Sequence, residues 1–125
     1  MSGLLPETKA GLQRAAGELN LFRGLLNSTA PSRLTCGDWR TLNGNIANTY
    51  NAIMVATLPY TEDKVVADVM TLEHVRKLQS VLRHLSKLRD VAAVGIHLKL
   101  TDRGRLTLVR HATDSVGLIE GILGR

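Results

Sequence analysis

The 125-residue chain is long enough for one hydrophobic core and too short for two. Its 44% hydrophobic and 22% charged residues lie outside the disordered range, and no window approaches the ~20 apolar residues of a membrane span. The net charge of +5 conceals an asymmetry: from His74 to His111 there are nine basic residues (76, 77, 83, 87, 89, 99, 103, 105, 110) against Asp90 and Asp102, so that stretch carries +7 and the remainder −2.

A local excess of this kind predicts a positive surface patch that attracts an anionic partner. The opening MSGLLPETKAGLQ lacks the basic-then-apolar layout of a signal peptide. The single Cys36 excludes an intrachain disulfide and agrees with a reducing compartment. A soluble cytoplasmic protein is expected.

In chain order, Pro6 and Glu7 suit the first turn of a helix, where proline's missing N–H costs nothing and a carboxylate meets the positive end of the dipole. Leu12, Ala15, Ala16, Leu19, Phe22 and Leu26 then recur at three- and four-residue steps, and the segment from Asn27 to Pro31 ends that helix. Thr35 and Asp38 form a short-armed capping box for a second helix, with Trp39, Leu42, Ile46, Tyr50, Ile53 and Thr57 as its apolar stripe and Pro59 as its end. Asn43-Gly44-Asn45 is its weak point, because Asn-Gly is a turn signal, and a kink is expected there.

Thr61-Glu62-Asp63 starts a short helix over 61–70 carrying Val65 and Val69. The apolar face then shifts, so a break near Thr71 and a separate helix from Leu72 to about Asp90 are predicted, with Val75, Leu78, Leu82 and Leu85 facing inward. Residues 96–110 admit two readings. Ile96, Leu98 and Leu100 alternate with His97 and Lys99 before Thr-Asp-Arg-Gly, as in a β-hairpin whose turn Gly104 would occupy. Against this, Leu106, Val109, Ala112, Val116, Ile119 and Leu123 keep helical spacing with Thr101 or Asp102 as N-cap. A lone hairpin also lacks a sheet to join. The helix over 102–123 is preferred, with the hairpin as the alternative. The fold class is therefore all-α, a single-domain bundle of about four helices plus a short extra one, spanning 1–125.

The runs CGDWRTLNGNIANTYNAIMVATLP, EHVRKLQSVLRHL and LTDRGRLTLVRHATDSVGLIEGIL resemble a group of small all-helical proteins encoded by phages and plasmids of proteobacteria. The likeness spans roughly residues 20–123 and rests mainly on hydrophobic spacing. Family members often carry a His-Asp-Glu-Gln-Leu-like run in the last helix, where this chain reads Thr113-Asp114-Ser115-Val116-Gly117. The resemblance implies a helical fold and a mobile-element origin, and it names no site residues.

Candidate chemistry is sparse. Cys36, near a helix start, could be an activated thiol, but no motif surrounds it and packing is the ordinary role of a free cysteine. His74, His84, His97 and His111 offer no i,i+4 pair for a metal. Glu62 and Asp63 decorate a helix start, and Asp68 and Glu73 are assigned to solvent, so no acid–base pair stands out. Gly117, Gly121 and Gly124 lack a phosphate-loop ending and suit close helix packing. Asn45, Asn48 and Asn51 form a polar row, read as a solvated face or as hydrogen-bonding groups for a partner.

No enzyme activity, cofactor or metal is expected. Arg76, Arg83 and Lys87, with Lys77 beside them, form a basic stripe opposite the core side of the third long helix; Arg103, Arg105 and Arg110 add to it. The expected function is a mobile-element interaction protein that binds a host or phage protein complex, with inhibition of a defence system in the manner of an anti-CRISPR as one form. The alternative is a nucleic-acid-binding regulator using the same basic residues on phosphates. A homo-oligomer fits either reading, and a membrane partner fits neither.

Overall fold

The computed structural model describes residues 6–62, 72–95 and 100–124. Helices α1 (Pro6–Ser28), α2 (Cys36–Glu62), α3 (Leu72–Gly95) and α4 (Asp102–Leu123), with a 3-10 turn at Pro31–Arg33, make up 93% of them, and no strand occurs among them. The chain is all-α. The expected short helix over 61–70, its Val65 and Val69, the break at Thr71, and residues 96–99 lie outside the described residues, as do the side chains of Thr57 and Val75. Thr61 and Glu62 belong to the end of α2.

The contested segment is resolved by its caps. Thr101 has extended backbone, and its hydroxyl accepts from the Gly104 amide at 3.0 Å, satisfying one of the free donors at the start of α4. Gly104 thus sits in the first helical turn, and the hairpin's second strand is replaced by helix. At the far end Gly124 adopts φ 80°, and its N–H bonds to Glu120 O, a left-handed stop that glycine takes without steric cost. The difference is physical: a helix satisfies its own backbone groups, whereas two isolated strands leave theirs to water.

At the start of α2 the capping box forms in both directions. The Thr35 amide donates to Asp38 Oδ2 at 2.9 Å, and the Asp38 amide donates to Thr35 Oγ1 at 3.0 Å. The helix continues without interruption through Asn43-Gly44-Asn45, where Asn43 Nδ2 donates to Trp39 O at 3.0 Å. It also runs past Pro59, expected as its end, to Glu62. There the proline removes one hydrogen bond near the terminus without halting the helix.

The helices pack as a ring in which α1 contacts α2 and α4, and α3 contacts α2 and α4, with α2 against α3 the least extensive pair. The pairs Thr8–Ala56 and Glu18–Asn45 run α2 antiparallel to α1, and Lys77–Gly121 and His84–His111 run α4 antiparallel to α3. Every expected inward residue of α1 is buried, as are Trp39, Leu42, Ile46 and Ile53 of α2; Tyr50 is half-buried.

On α3 and α4 the buried stripe is rotated from the expected one. Leu78, Val81, Leu85, Leu88 and Ala92 face the core of α3 while Leu82 is half-buried. On α4 the core residues are Leu108, Ala112, Ser115, Val116, Ile119 and Ile122; Val109 and Leu123 are half-buried, and Leu106 is 58% exposed. Ser115 enters the core because its hydroxyl donates to His111 O at 2.9 Å, within its own helix.

Close helix approach occurs at Gly11, where an added Cβ would stand 2.8 Å from Ala56 Cβ and 3.0 Å from Ala52 O. One turn earlier, buried Thr8 donates to Ala56 O at 2.9 Å. Among the described residues the expected contacts at Gly117 and Gly124 are absent, and Gly121 lies under the Lys77 side chain. No described helix is long and apolar enough to cross a membrane.

Candidate functional site: a basic face across α3 and α4

The core of α3 fixes where its charges point. With Leu78, Val81, Leu85 and Leu88 inward, Arg76, Arg83 and Lys87 fall on the opposite side and are exposed. On α4 the same logic exposes Arg103 and Arg110, which are seven residues apart and therefore about 10 Å apart along one side of the helix. Among the described residues none of these five cations enters an ion pair. Arg83 is steadied by Nη2 donating to Ser80 Oγ at 2.9 Å, which leaves its charge uncompensated.

Two of the seven expected residues stand apart. Lys77 lies nearer the α3–α4 seam, half-buried, paired with Glu73 at 3.4 Å, and its Nζ covers Gly121. Arg105, half-buried, projects roughly 150° around α4 from Arg103 and Arg110, because two- and five-residue steps do not return to the same helical side. The structure therefore assembles Arg76, Arg83, Lys87, Arg103 and Arg110 into the exposed set, with Lys77 neutralised at its edge and Arg105 on another side.

The two stripes converge at a feature that spacing along the chain did not single out. His84 of α3 and His111 of α4 meet with Nδ1 to Nδ1 at 2.9 Å, ring centroids 5.1 Å apart and planes inclined at 49°. Proton affinity at His111 is held below its ordinary value, foremost by burial, then by His84, Lys87 and Arg110, with Asp114 opposing. Lys87 and Arg110, from different helices, thus act on one imidazole. The pair is 27 residues apart in sequence, at nearly equal distances on either side of the α3–α4 connection. An antiparallel fold-over about that connection was the available signal.

Other candidates resolve differently. Cys36 is exposed on the first turn of α2. No cluster of three or more potential metal ligands exists among the described residues. The asparagine row is split: Asn45 is buried, with Nδ2 donating to Glu18 Oε2 at 2.8 Å and Oδ1 unpartnered, while Asn48 and Asn51 are exposed. These two border an α1–α2 groove of about 550 Å³, which also contains Glu7, Arg14 and Glu18 and so offers mixed charge. On the opposite flank of α3, Arg89 stacks 5.6 Å over the Tyr50 ring. No family model, curated protein or solved structure matches the chain.

Proposed function

We propose that the protein is a non-enzymatic interaction factor of a mobile genetic element, acting in the bacterial cytoplasm, whose α3–α4 face docks on an anionic surface of a host or phage protein complex. The observation that carries this reading is the set of five exposed cations, Arg76, Arg83, Lys87, Arg103 and Arg110, without an ion pair among the described residues. Ordinary solvated helix faces intersperse both signs, commonly as i,i+4 pairs. Exposed Asp90 and Asp114 border the set, three residues from Lys87 and four from Arg110, so the face is predominantly rather than purely basic; an excess of one sign is relieved by an oppositely charged partner, which it also steers into contact. The resemblance to phage and plasmid proteins supports the mobile-element origin. Inhibition of a defence complex in the manner of an anti-CRISPR is the form of this role that needs binding alone.

A second reading, binding to a nucleic-acid backbone, is favoured by one observation: four of the five exposed cations are arginines, whose planar fork matches phosphate oxygens. Trp39 and Phe22 are buried in the core, so this reading concerns backbone contact rather than stacking of unpaired bases. Affinity capture from a proteobacterial lysate, with and without nuclease, tests the two. Retention of one protein complex after nuclease treatment supports docking on protein. A mixture released by nuclease supports the second reading, and retention of neither overturns both.

A further inference from the structure

We propose that the α3–α4 face is a proton-linked oxyanion site, in which a phosphate or sulfate group held between Lys87 and Arg110 binds together with a proton taken up by the His84–His111 pair. The proposal rests on the reading that this face meets an anionic partner, and it adds the ligand chemistry and its regulation. At 2.9 Å the two Nδ1 atoms share one proton, one ring donating and the other accepting. The donor ring can gain a further proton on its Nε2 and still donate through Nδ1, so the pair accommodates one positive charge without losing its bond. A second proton would set two N–H groups face to face.

In the free protein, protonation of His111 is opposed. Burial is the largest cost, His84 and Lys87 of α3 and Arg110 of α4 add to it, and Asp114 acts in the opposite sense. The helices packed alongside do not reverse this balance. From α1, Arg23 reaches Thr113 at 3.1 Å, roughly 160° around α4 from His111, and it is not among the charges that act on that imidazole. From α2, the group facing α3 is Tyr50, whose hydroxyl donates to Leu82 O at 3.4 Å, beneath Arg89. An oxyanion between Lys87 and Arg110 offsets the two charges that repel the proton and adds a negative one that attracts it. By reciprocity, whatever factor the oxyanion adds to proton affinity, the proton adds to oxyanion affinity. Binding therefore strengthens as pH falls, beginning below the bound-state pKa and saturating below the free-state one.

The probes are inorganic sulfate and a short DNA duplex, neither of which titrates between about pH 5.5 and 8. Imidazole chemical shifts followed against pH, with and without each probe, read the pair directly, and calorimetry in two buffers of different ionisation enthalpy counts protons taken up. The expected result is an upward move of the His111 midpoint by about one unit at saturation, which corresponds to about tenfold tighter binding at low than at high pH. Action of both probes shows that a free oxyanion suffices, whereas action of the duplex alone identifies a nucleic-acid backbone as the source. His84→Asn combined with His111→Asn is expected to keep binding near pH 8 and lose proton uptake. Binding by the wild type with no midpoint shift and no proton uptake overturns the proton link and leaves the anionic-partner reading intact. Failure of both probes to bind at either pH overturns the oxyanion site, while the anionic-partner reading is decided separately by partner capture.

Discussion

Gly11→Ala sets two opposed effects against each other at the α1–α2 contact. Alanine is favoured over glycine in a helix interior by about 1 kcal/mol, so without neighbours the substitution stabilises. Here the new methyl would stand 2.8 Å from Ala56 Cβ and 3.0 Å from Ala52 O, against an ordinary carbon contact of ~3.5–4.0 Å. Ala52 O is backbone and Ala56 Cβ has no rotamer to escape into, so the helices must part, which also strains the Thr8 hydrogen bond to Ala56 O. Overpacking of this kind costs about 1–3 kcal/mol, leaving a net destabilisation of roughly 0–2 kcal/mol after the propensity gain. Gly17→Ala and Gly44→Ala are the controls, because an added Cβ meets nothing within 4 Å at either site; each should stabilise by about 0.5–1 kcal/mol. Urea unfolding of the three variants measures the difference. Equal stabilisation by all three would refute the close approach at Gly11.

Other expectations follow from burial, capping and titration. Leu85→Ala should cost about 2–5 kcal/mol because Leu85 is fully buried, whereas Leu106→Ala on the exposed side of α4 should stay within about 0.5 kcal/mol; comparable losses in denaturation would contradict the rotated stripe. Thr35→Ala removes one arm of the α2 capping box and should lower stability by about 1 kcal/mol, measured by thermal melting beside the neutral control Ser32→Ala. His111 binds protons less readily in the folded chain than its ordinary pKa of 6.5 implies, through burial and then His84, Lys87 and Arg110, so the unfolded chain takes up the proton first. The stability from this group is complete above that value and is lost as pH falls from it through the lower native one. Urea midpoints should therefore drop between about pH 7.5 and 5 more steeply in the wild type than in His111→Asn, and parallel profiles would count against the pair.

The sequence reveals most where a signal is local. The Thr35/Asp38 box and Thr101 ahead of α4 each satisfy backbone groups within a few residues, and these two starts match the structure; α1 is helical from Pro6, the first described residue. The interior registers of α3 and α4 were less legible. Leu78, Val81, Leu82, Leu85 and Leu88 form a broad apolar band, and neighbouring helices decide which edge is inward. The same holds for Leu106, which shares helical spacing with core residues yet faces solvent because Leu108, Ala112 and Ser115 take the interior. Pro59 and Gly44 read as breakers, and the surrounding helix overrides both.

At the candidate site, the exposed cations of α3 follow from periodicity, whereas on α4 the sequence groups Arg105 with Arg103 and Arg110 although it projects away from them, and the meeting of the two helices does not follow from spacing. The His84–His111 contact depends on the pairing of two helices, a long-range property that spacing within either helix does not encode. Lys77 illustrates the converse. It belongs to the basic run in sequence, and Glu73 one turn away neutralises it in the structure.

The central claim, that the α3–α4 face binds an anionic partner, is tested most directly by the salt dependence of partner retention from a proteobacterial lysate, compared between the wild type and a variant carrying Arg83→Glu, Lys87→Glu and Arg110→Glu. Each change is worth two charges, so net charge moves from +5 to −1; all three residues are exposed, and circular dichroism should show an unchanged helical fold. The account predicts that the wild type retains its partner at low salt and releases it as salt rises. On duplex DNA the log–log slope would be about −0.9 per phosphate neutralised, and it would be shallower on protein. The folded variant should retain nothing. A folded variant that holds the same partner with the same salt dependence would contradict the claim and return these residues to the role of a solvated helix face.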